Sequence, residues 1–213
     1  MYIPASNAEH RPDVIHDFIQ AHPLGALVTG AAGSLLATHL PLVLYRDRGA
    51  HGVLHGHLAR ANPQSRVASP CEALVIFTGA EAYVSPSWYA SKREHGKVVP
   101  TWNYVAVHAY VTLRLVDDAE FLNEHLHALT SVHEGAREQP WSVSDAPADY
   151  IEQQQRAIIG VELEITRLEG KWKMSQNRPA ADIDGVIRGL EDSPRAMDRE
   201  TAAIVAARRP SAG

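Results

Sequence analysis

Val105-Ala106-Val107-His108-Ala109-Tyr110-Val111-Thr112-Leu113-Arg114-Leu115-Val116 alternates between two kinds of side chain. Val105, Val107, Ala109, Val111, Leu113 and Leu115 share one face of an extended chain; His108, Tyr110, Thr112 and Arg114 share the other. Period two over this length specifies a β-strand with one face buried. The pattern returns at 160–174, where Val161, Leu163 and Ile165 stand opposite Glu162, Glu164 and Thr166, as one long strand or a strand pair. Further β runs are expected at 24–29, 34–45, 53–58, 73–77 and 82–84. The first two are joined at Gly30-Ala31-Ala32-Gly33, and Pro41 implies an edge or a bulge in the second. Helical spacing predicts helices at 11–21, 63–68, 183–190 and 195–207, another from Asp117 or Asp118 to 133, and a short one at 148–156. Residues 90–97 read as a polar loop. Short connections between strands favour antiparallel pairing, and no βαβ alternation is present. The expected class is mainly β with flanking helices (α+β), as a small closed barrel.

The chain has 213 residues, enough for a full hydrophobic core without disulfides or metal staples. Its net charge of −5 argues against a dedicated nucleic-acid binder. The single Cys71 excludes an intramolecular disulfide and fits a reducing, cytoplasmic setting. Residues 23–45 carry no Asp, Glu, Lys or Arg, yet Gly25, Gly30, Gly33 and Pro41 punctuate them, so buried strands rather than a membrane span are expected. Residues 1–13 hold no apolar signal region, so no secretory signal is expected.

Twelve histidines invite a metal or heme reading. His55-Gly56-His57 places two imidazoles on one face of a strand, but Ala61 and Asn62 stand where a third, acidic ligand would be needed, so no metal site is expected. His125 and His127 lie two apart on a helix, do not share a face, and are expected at a surface or interface. Glu162 and Glu164 read as a solvated strand face. Ser85 and Ser87 lack a nucleophile elbow, Cys71 has no basic neighbour in sequence, and no phosphate-binding glycine loop occurs. Arg60-Ala61-Asn62-Pro63 sets a planar cation beside a helix start, which suits a phosphate and equally a capped connecting helix. Three stretches mix aromatics with polar or basic groups: Tyr83 to Tyr89 followed by Lys92, Val99 to Tyr104, and Lys171 to Arg178. The aromatics of the first two suit stacking on a flat ring or anchoring an interface equally well, and the basic aromatic cluster of the third suits a nucleic acid, a flavin phosphate or a subunit interface.

Several ordered motifs together resemble the PaiB-like family of FMN-binding negative transcriptional regulators. They are Met1-Tyr2-Ile3-Pro4, Thr38-His39-Leu40-Pro41-Leu42, Gly56-His57-Leu58-Ala59-Arg60-Ala61-Asn62-Pro63-Gln64, Ala82-Tyr83-Val84-Ser85-Pro86-Ser87-Trp88-Tyr89, Val98-Val99-Pro100-Thr101-Trp102-Asn103-Tyr104 and Lys173-Met174-Ser175-Gln176-Asn177-Arg178. Asn7 stands where the resemblance leads one to expect an aromatic. The resemblance implies an FMN-binding split β-barrel, akin to pyridoxamine-phosphate oxidase, and a homodimer with FMN between subunits. It implies that backbone groups of Thr38, His39, Leu40 and Pro41 read the flavin's pyrimidine edge. His55, Gly56 and His57 would occupy the neighbouring strand, with Gly56 permitting close approach, and Arg60 and Asn62 would face the phosphate. A partner subunit would supply Trp88, Lys92, Trp102 or Asn103, and the C-terminal cluster Lys173, Gln176 or Arg178. The expected division is a barrel over 1–178 and a helical extension over 179–213. No helix-turn-helix is legible, and Arg208-Arg209 is a small patch, so direct DNA contact is not expected and regulation would be indirect. A flavin-dependent oxidoreductase and a heme-binding relative, the latter suggested by His39, His55, His57 and His108, remain as alternatives.

Overall fold

The computed structural model describes residues 1–31 and 33–210. Ala32 of the expected turn and the last three residues of the tail lie outside the described residues. Eight strands are hydrogen-bonded in the order β3-β2-β6-β7-β8-β5-β4, with β1 on β8. They are β1 (Ala8–Glu9), β2 (Leu24–Ala31), β3 (Ser34–Pro41), β4 (Val43–Tyr45), β5 (Val53–Ala59), β6 (Cys71–Val84), β7 (Thr101–Val116) and β8 (Ile158–Lys173). The helices are α1 (Pro12–Ala21), α2 (Ser91–His95), α3 (Ala119–Glu134), α4 (Ala148–Arg156), α5 (Ala180–Glu191) and α6 (Ala196–Ala207). The mainly β class with flanking helices is the one expected from the sequence, though the hydrogen-bonded path is open rather than closed.

Two compact units divide the chain. One holds Arg11–Phe77 and His108–Leu168. Its core is the inward face of the alternating strands: Val111 and Leu113 from β7, Val161, Leu163 and Ile165 from β8, Leu54 and Leu58 from β5. Ile15, Phe18 and Ile19 close it from α1, the stripe that the helical spacing predicts. Asp118 caps α3, its carboxylate accepting from the Phe121 amide at 2.8 Å. The β2–β3 hairpin runs in register from Leu24 opposite Pro41 to Ala31 opposite Ser34. β5 pairs with β8 so that His55 faces Glu162 and Gly56 faces Val161.

The other unit holds Met1–His10, Thr78–Val107 and the described residues from Glu169 onward. The C-terminal helices therefore share a unit with the middle of the chain and with the ends of β6, β7 and β8. Ile183, Val186 and Leu190 of α5 and Val205 of α6 are buried, as are Tyr89, Val107 and Met174. The segment ending at Trp88 is seated on two glycines of α5. A Cβ at Gly185 would lie 1.9 Å from the Trp88 carbonyl oxygen, and one at Gly189 would lie 2.3 Å from the indole ring. The buried Asp182 ties this helix to α2, accepting from the Ser91 amide at 2.9 Å and its hydroxyl at 2.7 Å.

Several boundaries differ from those expected. The run at 34–45 is two strands, because Pro41 has no N–H to continue the ladder and the Leu42 amide turns to the Pro23 carbonyl at 2.9 Å. The runs at 73–77 and 82–84 are one strand, β6, that passes through Gly79 unbroken. The loop at 90–97 contains α2, closed by Gly96 with φ of 68°. The helix expected at 63–68 is a single 3-10 turn, Pro63–Arg66.

Candidate functional site

β3 ends the hydrogen-bonded path, so one edge of it carries backbone groups that no strand takes up among the described residues. Along it His39 is exposed, Thr38 and Pro41 are half-buried and Leu40 is buried. The turn after β5 is pinned beside this hairpin. Asn62 donates to the Thr38 hydroxyl at 2.9 Å and caps the 3-10 turn by accepting from the Gln64 amide at 2.9 Å. Gln64 is buried and spans the hairpin, its side-chain amide reaching the Leu27 carbonyl at 3.1 Å, the Thr29 hydroxyl at 3.0 Å and the Leu36 carbonyl at 3.2 Å. Sequence reading passed over Gln64 as a site-shaping residue; its place directly after Asn62-Pro63 was the available signal.

Arg60 lies at this turn with its guanidinium already engaged. Nε donates to the Arg156 carbonyl at 3.0 Å and Nη1 to Asp117 Oδ2 at 3.1 Å, while Nη2 meets Asp117 Oδ1. Hydrogen bonding to Arg60 holds the Asp117 carboxyl below the usual carboxylate range and raises the arginine in turn. Arg66, at the end of the turn, is exposed and without an ion pair among the described residues.

The histidines of β5 lie against α3. His55 packs between the rings of Tyr45 and Phe121, at 4.6 and 4.7 Å, with Nε2 3.5 Å from the Glu162 carboxylate. Burial lowers its pKa, and Glu162 opposes that shift. His57 Nδ1 is 3.0 Å from His125 Nε2. The expectation that His125 sits at a surface is corrected: it is fully buried, and burial, followed by the charges of His57 and His55, pushes its pKa down to about 4. Phe121, His125 and Leu129 recur every four residues, the spacing of one helix face, and that was the signal for its burial. His127 is exposed, as expected. Gly56 is closely packed on its Cβ side. A Cβ there would meet Leu42 at 2.8 Å and Leu40 at 3.0 Å, so core leucines fill that space. Among the described residues no three His, Cys, Asp or Glu side chains group as a metal site would require.

The remaining candidates lie in the other unit. Trp88 and Lys92 border a cleft of about 550 Å³ together with Arg93 and Arg188. Lys92 reaches the Ser87 hydroxyl at 3.3 Å; neither Arg93 nor Arg188 makes an ion pair among the described residues. Asn103, Lys173 and Gln176 are bonded around the end of β8 and the turn after it, while the exposed Trp102 donates its indole N–H to Glu81. Asn103 is buried and bonded to Ser175 at 3.0 Å, which holds Ser175 at φ of 63°. Lys173 reaches the Trp102 carbonyl at 2.5 Å and the Thr101 hydroxyl, and burial lowers its pKa. Gln176 bonds the Trp172 carbonyl at 2.5 Å, and the Arg178 guanidinium lies 4.9 Å over the Tyr89 ring.

A family model described as "Putative FMN-binding domain" matches residues 1–167. An uncharacterised protein of Emericella nidulans is 36% identical over 228 aligned residues, covering 90% of this chain and 91% of its own. The "Protease synthase and sporulation protein PAI 2" of Bacillus subtilis is 36% identical over 199, covering 92% and 93%. Among solved structures, a FAD and heme binding protein from Mycobacterium smegmatis matches with a TM-score of 0.59 at 16% identity, covering 78% of this chain and 73% of its own. A flavocytochrome from Azotobacter vinelandii matches at 0.51 and 15%, covering 78% and 68%. These structural likenesses concern the fold, which is the split-barrel fold expected from the motifs.

Proposed function

The chain belongs to the FMN-binding domain family, and from that premise we propose that it holds FMN along the free edge of β3 and serves as a flavin-dependent regulator. The donor set fits the group. An edge strand offers N–H and C=O groups to the pyrimidine ring along Thr38, His39 and Leu40, with a carbonyl only at Pro41, and Asn62, Arg60 and Arg66 gather polar and cationic groups at the adjoining turn. Bound FMN supplies one- and two-electron redox chemistry. The chain's own groups orient it: Gln64 locks the turn to the hairpin, and the Asn62–Thr38 bond fixes the rim of the strand. The free edge of β3 beside a cationic turn is the observation that carries this reading.

Arg60 is the phosphate ligand in this reading and must exchange Asp117 for the phosphate. Losing a hydrogen bond to a charged group costs about 1.5–3 kcal/mol. Arg60→Ala should therefore weaken FMN roughly tenfold to a hundredfold in a fluorescence-quenching titration. Riboflavin, which lacks the phosphate, should bind the variant and the wild type alike. Asp117→Asn, which releases the guanidinium, should not weaken FMN. Equal losses for FMN and riboflavin, or none for FMN, would rule this placement out.

The regulatory part rests on the motif resemblance and on the Bacillus relative, whose name links that protein to protease synthesis and sporulation. The net charge of −5 favours action through a partner or a sensed molecule over direct DNA contact. A homodimer completes the reading. In it, the cleft bearing Trp88 and Lys92 serves the flavin of the second copy, and Tyr83 and Trp102, 47% and 45% exposed, are interface anchors. Light scattering should return twice the chain mass at micromolar concentration; a monomer would remove the shared site.

A further inference from the structure

We propose that the cavity between β5, α3, α4 and the turn at 141–143 is a second small-molecule site, built for a neutral, mainly apolar compound that presents one hydrogen-bond acceptor, such as a ketone. The cavity encloses about 330 Å³, within the ~300–1,000 Å³ of small-molecule pockets. Leu126, Val143, Ile151 and Ile158 give it apolar walls, and the half-exposed Trp141 offers an aromatic face. No Lys, Arg, Asp or Glu lines it. A phosphate dianion would find no counter-charge there, so this site is separate from the one proposed for FMN.

His57 supplies the directional group. Two proton arrangements satisfy its 3.0 Å contact with His125. If His57 donated, His125 would carry its own proton on Nδ1, a buried atom with no acceptor. If His125 donates from Nε2, the atom left over is a buried lone pair. Orphaned buried N–H groups are the rarer case in folded proteins, so the second arrangement holds. His57 then bears its proton on Nε2, which has no partner among the described residues. Burial lowers the pKa of both rings, so this donor is a neutral imidazole. His125, which touches no ligand in this reading, sets the tautomer and orientation of the ring that does.

Calorimetry on the full chain with three probes tests this: acetophenone, α-methylstyrene (the same shape with CH₂ in place of the oxygen) and benzoate. Acetophenone should bind about twofold to tenfold tighter than α-methylstyrene, the worth of one neutral hydrogen bond. His57→Phe should make the two equal. Leu126→Trp should abolish both by filling the cavity, and Thr130→Phe does the same if the first variant loses its circular-dichroism signature. Absence of binding by either neutral probe would overturn the proposal. So would a preference that survives His57→Phe, undiminished binding in a folded filled variant, or benzoate binding more tightly than acetophenone.

Discussion

Gly185→Ala is expected to destabilise the protein by about 3 kcal/mol, the upper end of the overpacking range. Local propensity predicts the opposite sign, because alanine is better than glycine in a helix interior by about 1 kcal/mol. Packing decides. The added Cβ would lie 1.9 Å from the Trp88 carbonyl oxygen, and that atom is backbone, with no rotamer to retreat into. Gly189→Ala makes a contrasting test. Its Cβ would meet the Trp88 ring, at 2.3 Å from the nearest atom, and a side chain is removable. Trp88→Ala should therefore absorb most of the added cost of Gly189→Ala and little of that of Gly185→Ala. Urea denaturation of the three single variants and the two doubles with Trp88→Ala closes both double-mutant cycles. A stability gain in Gly185→Ala would mean that the segment ending at Trp88 does not rest on α5.

Acidification from pH 6.5 to 4 should remove on the order of 3 kcal/mol of stability through His125 alone. Its pKa is about 4 in the fold against 6.5 as an ordinary histidine. Between those values the unfolded chain takes up a proton that the folded one refuses, so stability falls as pH falls through this window. Above 6.5 both states are neutral, and below 4 both are charged, so the contribution is flat on either side. His57, also lowered by burial, adds a loss of the same sign. Carboxylates titrate in the acid range as well, so the measurement is the difference between wild type and His125→Phe across this window. The variant should show the shallower decline; parallel curves would mean that His125 is not buried neutral.

The elements with strong periodicity were legible in the sequence. Val107, Val111 and Leu113 alternate inward along β7, and Ile15, Phe18 and Ile19 form the buried stripe of α1. Local chemistry also marked Asn62 as a cap and narrowed the cap of α3 to Asp117 or Asp118, of which Asp118 serves. What sequence could not show was partnership across distance. The burial of His125 depends on its meeting His57, 68 residues away. The engagement of Arg60 depends on Asp117. Lys173 and Asn103, candidate cofactor ligands by resemblance, bond to Trp102 and Ser175, partners that nothing near them in sequence announces. Gly185 and Gly189 passed as ordinary helix residues because nothing near them in sequence announces Trp88.

The free edge of β3 has a colloidal consequence. Natural sheets usually guard an exposed edge with lysine, a bulge or an inward charge. Here residues 34–41 carry no charged side chain, and Leu35 is 78% exposed. An uncharged edge of eight residues is a template for any other extended chain, a second copy of itself included. Whatever lies along β3 therefore also acts as a solubility device. A pool of this protein that outgrew its supply of that cover would leave solution by edge-to-edge association, making the soluble fraction itself a gauge of how much cover the cell provides.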